Sequence, residues 1–266
     1  MKILIIGGGN MGTTYAESLV ASHAISRQDL HLLERTEAKA EVFRAKGFVN
    51  VHLQAGDYID EIDVIILAVK PQDAHKVYPM IAPYINDKHL ILSVMAGVKI
   101  QNIQATLPTE RIIRVMPNLP AQIGMGMSGF TADASVSKVE LFAIQNLLNT
   151  TGKSIYFEQE SLIDAVTAVS GSGPAYVYYF MESMINAAQQ MGFSLQQAEL
   201  LVEQTFMGAV HLLNLRDLSC REWITRVASK GGTTEAALSV FEARALDKII
   251  AEGLQKANER AIALGQ

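Results

Sequence analysis

The chain has 266 residues, of which 49% are hydrophobic and 18% charged, so it can bury one large core or two moderate ones. Its net charge of −5 is spread along the sequence, and no basic stripe is present that would attract nucleic acid or an anionic membrane. No apolar run approaches the ~20 residues that span a bilayer. We therefore expect a cytoplasmic protein whose partner is a small molecule.

The cysteine and histidine content gives no sign of a disulfide or a metal site. Cys220 is the single cysteine, so it cannot form an internal disulfide, and a lone thiol suits a reducing cytosol. The six histidines are scattered without ligand spacing. We expect each histidine to be a surface or packing residue, and we expect no metal.

The strongest local motif lies at the start of the chain. An apolar run, Ile3–Ile6, meets Gly7, Gly9 and Gly12 in G-x-G-x-x-G spacing. A buried strand that ends in such a turn and opens a helix brings backbone N–H groups close to a dinucleotide pyrophosphate. A second apolar run ends at Glu34, where the adenosine ribose would lie. This pattern favours a nucleotide site over a glycine-rich surface turn.

Short β-rich runs alternate with helical stretches up to about residue 157, which is typical of a parallel sheet covered by helices. The predicted strands are Lys2–Ile6, Leu30–Glu34, Val49–Leu53, Val64–Val69, Leu90–Met95, Ile112–Met116 and Ser154–Phe157. Between the last two strands we predict a helix with a capping box of Ser137 and Glu140 and an end at Gly152. The sequence thus predicts an α/β fold with a doubly wound sheet in a domain of residues 1–158.

Strand signals disappear after about residue 158, and the rest of the chain has a helical pattern. Ser194 with Gln197, and Ser219 with Glu222, mark two helix starts, and Gly192 ends the helix before them. The sequence therefore predicts that an all-α domain follows the sheet.

The last predicted helix, Glu235–Leu264, carries apolar residues around more than one side. A helix that is apolar on several faces must be buried on several faces. The helical domain, residues 159–266, has only about a hundred residues with which to cover it. We therefore expect a second subunit to supply the missing cover, in a homodimer or a larger assembly of dimers.

Two predicted strand ends carry further candidate residues. The segment Ala68–Pro71 lies where Rossmann-type sheets bind their ligand, although a plain turn in which Pro71 starts a helix explains it equally well. The segment Arg114–Pro120 has two prolines that stiffen the backbone after a strand. A rigid edge suits the positioning of a flat ring, and a structural turn explains it nearly as well.

A third pair of segments, Ser170–Tyr176 and Ser229–Glu235, is also unusual. In the second, Gly231 and Gly232 precede two threonines at the expected start of the last helix. Free N–H groups, two hydroxyls and the helix dipole would converge there. The pattern favours a carboxylate site over a simple N-cap, because a cap needs only one hydroxyl.

Taken together, these motifs resemble the Δ1-pyrroline-5-carboxylate reductase family, the enzymes of the last step of proline biosynthesis. The matching segments are GGGNMG (7–12), LAVKPQ (67–72), SVMAGV (93–98), RVMPNLP (114–120), DAVTAVSGSGPAY (164–176) and SKGGTTEAAL (229–238). The last two are much more specific than the nucleotide fingerprint. The resemblance implies a Rossmann domain followed by a helical dimerisation domain. It also implies transfer of a hydride from NADPH or NADH to the C=N carbon of the cyclic imine, which gives L-proline.

The resemblance also implies roles for individual residues. The pyrophosphate would be held by Gly7, Gly9, Asn10, Met11 and Gly12. The ribose and nicotinamide would be bordered by Ala68, Lys70, Pro71, Ala96, Gly97 and Asn118. The substrate carboxylate would be held by Ser229, Gly231, Gly232, Thr233 and Thr234. Thr167 would lie near the imine nitrogen, with orientation as its first role and proton relay as its second, because a threonine hydroxyl is a poor acid at neutral pH.

One position departs from the usual pattern of the family, in which a small or amide residue ends the second strand. Here Glu34 would bond the free 2′-hydroxyl of NADH and repel the 2′-phosphate of NADPH. The neighbouring Arg35 would act in the opposite sense. The sequence leaves the choice of cofactor open.

Two other functions compete with this interpretation. A β-hydroxyacid dehydrogenase would place a catalytic lysine and an asparagine where this chain has Val177 and Met181, so the amine needed to polarise an alcohol oxygen is missing. A cofactor-binding sensor or scaffold without catalysis is the other alternative. The loop from Ser229 to Thr234 would have no purpose in a pure sensor.

Overall fold

The computed structural model describes residues 1–265, which form two compact units. The first unit contains Met1–Pro174 and the C-terminal segment from Ala257, and the second contains Ala175–Lys256. The first unit thus continues beyond the predicted domain boundary after residue 158 and takes up the chain again near its end. A domain boundary after residue 158 therefore stays a prediction.

An eight-stranded sheet forms the centre of the first unit, in the order β3-β2-β1-β4-β5-β6-β7-β8. Every neighbouring pair is parallel except β6 and β7. Because the strand order reverses direction at β1 and β4, the sheet is doubly wound, as predicted. The strands are β1 (Ile3–Ile6), β2 (Leu30–Leu33), β3 (Asn50–His52), β4 (Val64–Leu67), β5 (Leu90–Ser93), β6 (Ile112–Met116), β7 (Gly126–Ala132) and β8 (Gly152–Tyr156).

Helices cover both faces of this sheet. Successive residues of a strand point to opposite faces, and accordingly Ile3 and Ile5 belong to one buried cluster while Leu4 and Ile6 belong to the other. The first cluster includes residues of α1 and α5, and the second includes residues of α3 and α4. The helices of this part of the chain are α1 (Asn10–Ala21), α2 (Glu37–Ala45), α3 (Ala74–Ile81), α4 (Ile100–Gln104), α5 (Lys138–Leu148) and α6 (Ser161–Val166).

Strand β7 is missing from the sequence prediction. Its sequence, GMSGFTA, has two glycines and reads locally as a loop. Its close contacts require those glycines, because a Cβ on Gly129 would lie 2.7 Å from Val166 Cγ2. A Cβ on Gly126 would lie 2.7 Å from Ala121 Cα. Tertiary pairing with β6, rather than local propensity, therefore makes this segment a strand.

The second unit is helical, as predicted, and its capping residues are confirmed. The side chain of Ser194 accepts the Gln197 N–H, and that of Ser219 accepts the Glu222 N–H, and each forms a reciprocal capping box. The box of Ser137 and Glu140 on α5 is confirmed as well, but the predicted helix end at Gly152 is wrong, because α5 ends at Leu148 and Gly152 begins β8. The remaining helices of the chain are α7 (Gly173–Gln190), α8 (Leu195–Leu215), α9 (Cys220–Val227), α10 (Thr233–Ala243) and α11 (Leu246–Leu264).

The prediction of one helix from Glu235 to Leu264 is wrong, because two helices occupy this stretch. They are separated at Arg244 and Ala245, where Ala245 has a φ of +51°. Neither residue is a helix breaker, so nothing in the local sequence marks the turn. Within residues 1–265, no helix is long and apolar enough to cross a membrane.

Candidate functional site

The glycine turn after β1 lies at the carboxyl edge of the sheet. Gly7 has a φ of +97°, and a Cβ there would lie 2.8 Å from Val69 Cγ1. A Cβ on Gly12 would lie 1.9 Å from the carbonyl oxygen of Gly7, so α1 can pack on the turn only because position 12 is glycine. A Cβ on Gly9 would meet nothing within 4 Å. Two glycines thus serve close packing, and the third borders open space through which a ligand can approach the backbone.

Helix α1 begins at Asn10 without a capping side chain. Gly9 is its N-cap, and no acidic residue lies in its first turn. The N–H groups of such a turn, together with the positive end of the helix dipole, are available to an anion. Met11 and Gly12 belong to this turn. The residues predicted to hold the pyrophosphate therefore stand where the backbone fits one.

A cavity of about 400 Å³ lies at the carboxyl ends of β1, β2 and β4. It brings together six residues that the sequence predicts for the cofactor: Gly7, Gly9, Glu34, Arg35, Ala68 and Lys70. The lining residues that the sequence did not predict for the cofactor include Lys39, Leu53, Asp73, Lys76, Val77 and Met80. They lie on neighbouring helices and the loop after β3, and only the fold shows that they converge. A larger cavity of about 730 Å³ lies along α1, and the ends of β2 and β4 do not line it.

The Glu34 side chain lies under the glycine turn and is only 4% exposed. A Cβ on Gly8 would lie 2.2 Å from Glu34 Oε1 and 2.3 Å from Phe43 Cε2, so the turn rests directly on these two side chains. Burial raises the pKa of Glu34, and the Lys39 ammonium and the backbone N–H groups of Gly8 and Arg35 offset part of that rise. Glu34 therefore supports the turn as well as lining the cavity.

Pro71 follows β4 as the first residue of a short 3₁₀ turn, Pro71–Asp73. Lys70 before it is extended, with φ −68° and ψ 142°, as a residue before proline should be. Pro71 therefore starts a helical turn, as the interpretation of this segment as a plain turn predicts. Because Ala68 and Lys70 also line the cavity, the ligand interpretation is consistent with the same geometry.

The loop after β5 contacts the end of the last helix. Gly97 has a φ of +77°, and a Cβ there would lie 3.0 Å from the carbonyl carbon of Leu264. A Cβ on Gly265 would lie 2.2 Å from the carbonyl oxygen of Gly97. The C-terminal turn therefore packs against the loop that holds Ala96 and Gly97. Sequence reasoning missed this contact, since no local signal joins two such distant segments.

Asn118 joins three segments at the carboxyl end of β6. Its side-chain nitrogen donates to the carbonyl and hydroxyl oxygens of Ser170, at 3.3 and 3.2 Å, and its side-chain oxygen accepts the N–H of Met127 at 2.8 Å. The side-chain amide is thus engaged within the protein. Its place beside the nicotinamide stays a prediction.

Thr167 begins a π-helical turn, Thr167–Gly171, between α6 and α7. Its hydroxyl donates to the carbonyl oxygen of Ile163 at 2.9 Å, and the N–H of Ser172 donates to the Thr167 carbonyl at 2.9 Å. A hydroxyl that donates its one proton keeps its lone pairs as acceptors. Turns of this kind are frequent at functional sites. Thr167 thus keeps hydrogen-bond acceptor capacity, and its place near the imine nitrogen stays a prediction.

In the second unit, the loop before α10 has the form expected of an anion site. Gly232 is the N-cap of α10, and no side chain caps the helix, so the simple N-cap by a threonine is wrong. Gly231 has a φ of +74°, and its N–H donates to Glu235 Oε2 at 2.6 Å. The sequence predicted no role for the Glu235 carboxylate. Thr233 and Thr234 form the first turn of the helix, whose dipole favours a carboxylate. Ser229 accepts the N–H of Gly232 through its carbonyl.

Two of the six histidines meet in the fold. His31 Nδ1 lies 3.1 Å from His52 Nε2, and the ring of Tyr58 stacks on His52 with centroids 3.7 Å apart. Neighbouring strands bring these rings together, although their sequence spacing gave no sign of it. Among residues 1–265, no group of three or more histidine, cysteine or acidic side chains could hold a metal ion.

The positions that would carry hydroxyacid dehydrogenase chemistry lie on α7 and hold no amine. Val177 is largely exposed, and Met181 is half-buried. Polarisation of an alcohol oxygen has no agent at either position.

Comparisons with known proteins cover the whole chain. Residues 160–264 match the family model described as pyrroline-5-carboxylate reductase dimerisation, and residues 2–97 match that of NADP oxidoreductase, coenzyme F420-dependent. A pyrroline-5-carboxylate reductase of Pseudomonas aeruginosa is 33% identical over 266 residues, which are 100% of this chain and 97% of that protein.

Solved structures agree with these relatives. A pyrroline-5-carboxylate reductase from Coxiella burnetii superposes with a TM-score of 0.91 at 32% identity, over 100% of this chain and 98% of that chain. The Plasmodium falciparum pyrroline carboxylate reductase, solved with NADP bound, gives a TM-score of 0.88 at 27% identity, over 100% and 98% of the two chains. With its doubly wound sheet, its uncapped α1 and α10 and this full-length similarity, the chain belongs to the pyrroline-5-carboxylate reductase family.

Proposed function

We propose that the protein reduces Δ1-pyrroline-5-carboxylate to L-proline, with NADH or NADPH as the reductant. The observation that carries the proposal is the pair of uncapped helix starts, at Asn10 and Thr233, each preceded by glycines and each within a segment specific to the family. The first suits a pyrophosphate, and the second suits a carboxylate.

The carboxyl edge of the sheet fits a nicotinamide dinucleotide. Gly9 borders open space, and Gly7 and Gly12 let the turn and helix approach closely. Glu34 and Arg35 line the cavity on the side of β2. When bound, the reduced nicotinamide supplies a hydride from its C4 atom to the imine carbon. The chain's own contribution is to hold the ring against that carbon and to exclude water.

Thr167 orients the substrate as a hydrogen-bond acceptor. Since its proton is engaged with the Ile163 carbonyl at 2.9 Å, the hydroxyl can receive an N–H of the protonated iminium or of the product amine. In this proposal the proton on nitrogen arrives with the substrate. As the hydride adds to carbon, the π electrons of the C=N bond move to nitrogen and neutralise its positive charge. Orientation is thus the proposed role of Thr167, and proton relay is not needed.

The substrate carboxylate is proposed to bind the start of α10. The N–H groups of the first helical turn and the hydroxyls of Thr233 and Thr234 are the donors, and Ser229, Gly231 and Gly232 shape the loop. Glu235 already satisfies the Gly231 N–H at 2.6 Å, so the carboxylate needs the donors that follow Gly232.

The protein is further proposed to be a homodimer or an assembly of dimers, joined through the helical half. Helix α7 has 18 residues and none of them is buried in the single chain. Tyr178 and Tyr179 are 60% and 70% exposed, and apolar surface of this kind marks an interaction site. A second copy of the chain would cover it.

One assay tests the proposed function. In one mixture, the purified protein receives pyrroline-5-carboxylate with NADH or NADPH. In the other, it receives a 3-hydroxyacid with the oxidised cofactor. The absorbance of the reduced nicotinamide is followed in both. Consumption of reduced cofactor with the imine alone supports the proposal. Turnover of the hydroxyacid alone supports the dehydrogenase, and binding of cofactor without turnover of either supports a sensor.

A further inference from the structure

A charged network is buried behind the π-helical turn. Arg114 of β6 is 1% exposed, and its Nη2 donates to Asp164 Oδ1 at 2.5 Å. Its Nη1 donates to Glu160 Oε1 at 3.2 Å, and the same oxygen accepts the N–H of Ile100 at 2.8 Å. The network thus ties α6 to β6 and to the start of α4. None of the motif roles described above uses it.

Three residues that alternate along the end of β6 contact the same segment. Arg114 binds Asp164, and Asn118 binds Ser170. Between them, the Met116 side chain closes on Gly171, where an added Cβ would lie 2.6 Å from Met116 Cε. Alternate residues of an extended chain share one face. One face of β6 therefore holds the whole stretch from the end of α6 through the π-helical turn.

Stability alone does not explain an ion pair in this place. A buried pair gives up hydration that an apolar pair of similar volume would not, so it adds little net stability. What the guanidinium adds is direction, because its planar group holds two carboxylates in fixed places, Asp164 on Nη2 and Glu160 on Nη1. Asp164 lies three residues before Thr167, so fixing the Asp164 carboxylate fixes the start of the turn.

We propose that Asp164 is a positioning residue, which with Arg114 sets the place of the π-helical turn and thereby of the Thr167 hydroxyl. The inference rests on the proposed function, in which that hydroxyl receives the substrate N–H. Asp164 itself is only 4% exposed, so its carboxylate would act through the turn and not by direct contact with a substrate. Loss of its charge would let the turn shift while leaving the nucleotide site and the carboxylate loop in place.

Asp164→Asn tests this, with Glu140→Gln as the matched control. Glu140 pairs with Arg111, which lies just before β6 at the opposite end of the strand from the turn. The positioning role predicts that Asp164→Asn lowers kcat by roughly ten- to a hundredfold, as expected of a displacement of about 1 Å at a reacting group. KM for the imine and the dissociation constant of NADH should stay within about threefold, and Glu140→Gln should keep the wild-type kcat.

Hydrogen exchange gives a readout that does not depend on activity. The Ser172 N–H, bonded to the Thr167 carbonyl at 2.9 Å, should exchange faster in Asp164→Asn and unchanged in Glu140→Gln. Equal protection in Asp164→Asn and wild type would overturn the positioning role. A wild type inactive on pyrroline-5-carboxylate would overturn the proposed function instead and leave this exchange result standing.

Glu160→Gln is a second variant that tests the same proposal if Asp164→Asn does not fold. The Glu160 side chain is 31% exposed, so its neutral amide is tolerated while the pair with Arg114 weakens. We expect a smaller loss of kcat, about three- to tenfold, and faster exchange at Ser172. A folded Glu160→Gln with wild-type kcat and wild-type protection would also overturn the proposal.

Discussion

Glu34 shows at the scale of one residue how burial gives a side chain two functions. Its carboxylate supports Gly8 from below and also lines the cavity at the ends of β1, β2 and β4. Because the buried charge is only partly offset by Lys39 and two backbone amides, the pKa of Glu34 lies above its usual value. We therefore expect the choice between NADH and NADPH to depend on the ionised fraction of this group.

We expect the wild type to use NADH at least as well as NADPH, and Glu34→Ser to shift the preference toward NADPH by about tenfold, or ~1.4 kcal/mol. The reason is that a carboxylate accepts the 2′-hydroxyl and repels the 2′-phosphate. The measurement is kcat/KM with both cofactors. A wild type with a large preference for NADPH would mean that Arg35 governs the cavity.

The same preference should depend on pH in a defined sense. Lowering the pH through a raised pKa protonates Glu34 and removes the repulsion of a phosphate. The ratio of kcat/KM for NADPH to that for NADH should therefore rise as the pH falls, and the rise should begin above the pH range in which an ordinary glutamate is protonated. In Glu34→Ser the ratio should vary far less, which separates this residue from other titrating groups.

The two threonine sites should differ in kinetics. Thr167→Ala removes an acceptor for a nitrogen whose charge changes as the hydride arrives, so kcat should fall roughly ten- to a hundredfold, for a bond worth ~1.5–3 kcal/mol. Thr234→Ala removes a carboxylate contact present throughout, so it should chiefly raise KM. Both are measured with saturating cofactor. Thr167→Ser, which restores the hydroxyl, should recover most of kcat, whereas a wild-type kcat in Thr167→Ala would make Thr167 a packing residue.

At the scale of elements, the contacts that complete the site join segments far apart in the chain. The C-terminal turn after α11 packs on the loop after β5, and one face of β6 holds the π-helical turn. Glycine–backbone contacts set the first of these, and buried hydrogen bonds set the second. The sequence predicts elements one by one, but the geometry of the site depends on the contacts between elements.

Gly97→Ala tests the C-terminal contact, with Gly124→Ala as its control. Both glycines have a positive φ, +77° and +72°, but a Cβ on Gly124 would meet nothing within 4 Å. Gly124→Ala should lower the free energy of unfolding by the backbone cost alone, about 1 kcal/mol. Gly97→Ala should cost about 1–3 kcal/mol more, because its Cβ meets the backbone of Leu264 and Gly265. Denaturant unfolding measures both, and equal losses would show that the C-terminal turn does not press on the loop.

At the scale of the whole molecule, the two units differ in how much of their apolar surface a single chain buries. The sheet unit has apolar clusters on both faces, whereas α7, α9 and α10 have no buried residue in the isolated chain. A helical half with this much uncovered apolar surface requires a partner. We therefore expect oligomerisation to contribute to the stability of this chain.

Sedimentation at micromolar concentration should show at least a dimer, and Tyr179→Arg should weaken it. A charge placed on this 70% exposed position of α7 would have to be buried against a second copy. Val139→Arg is the control, since Val139 is 79% exposed on α5 of the sheet unit and should leave the assembly unchanged. Removal of all residues beyond Ala237 should cause aggregation, because it uncovers further apolar surface. A fully active wild-type monomer would contradict this arrangement.

The sequence by itself determined the elements with strong local signals. Continuous apolar runs indicated the buried strands. Side-chain chemistry indicated the capping boxes at Ser137, Ser194 and Ser219, and glycine spacing indicated the turn after β1. Motif resemblance then indicated the family and the candidate residues. These features need only neighbouring residues to form, which is why a single sequence reveals them.

Tertiary structure decided the features that distant segments create together. Pairing with β6 made the glycine-rich β7 a strand, and the predicted last helix is interrupted at Ala245, where no helix-breaking residue stands. The burial of Glu34 under Gly8, the approach of Gly265 to Gly97 and the pairing of Arg114 with Asp164 depend on chain segments that no local pattern connects. Local propensity differs between states by about 1 kcal/mol per residue or less, and burial and tertiary hydrogen bonds exceed it wherever they conflict.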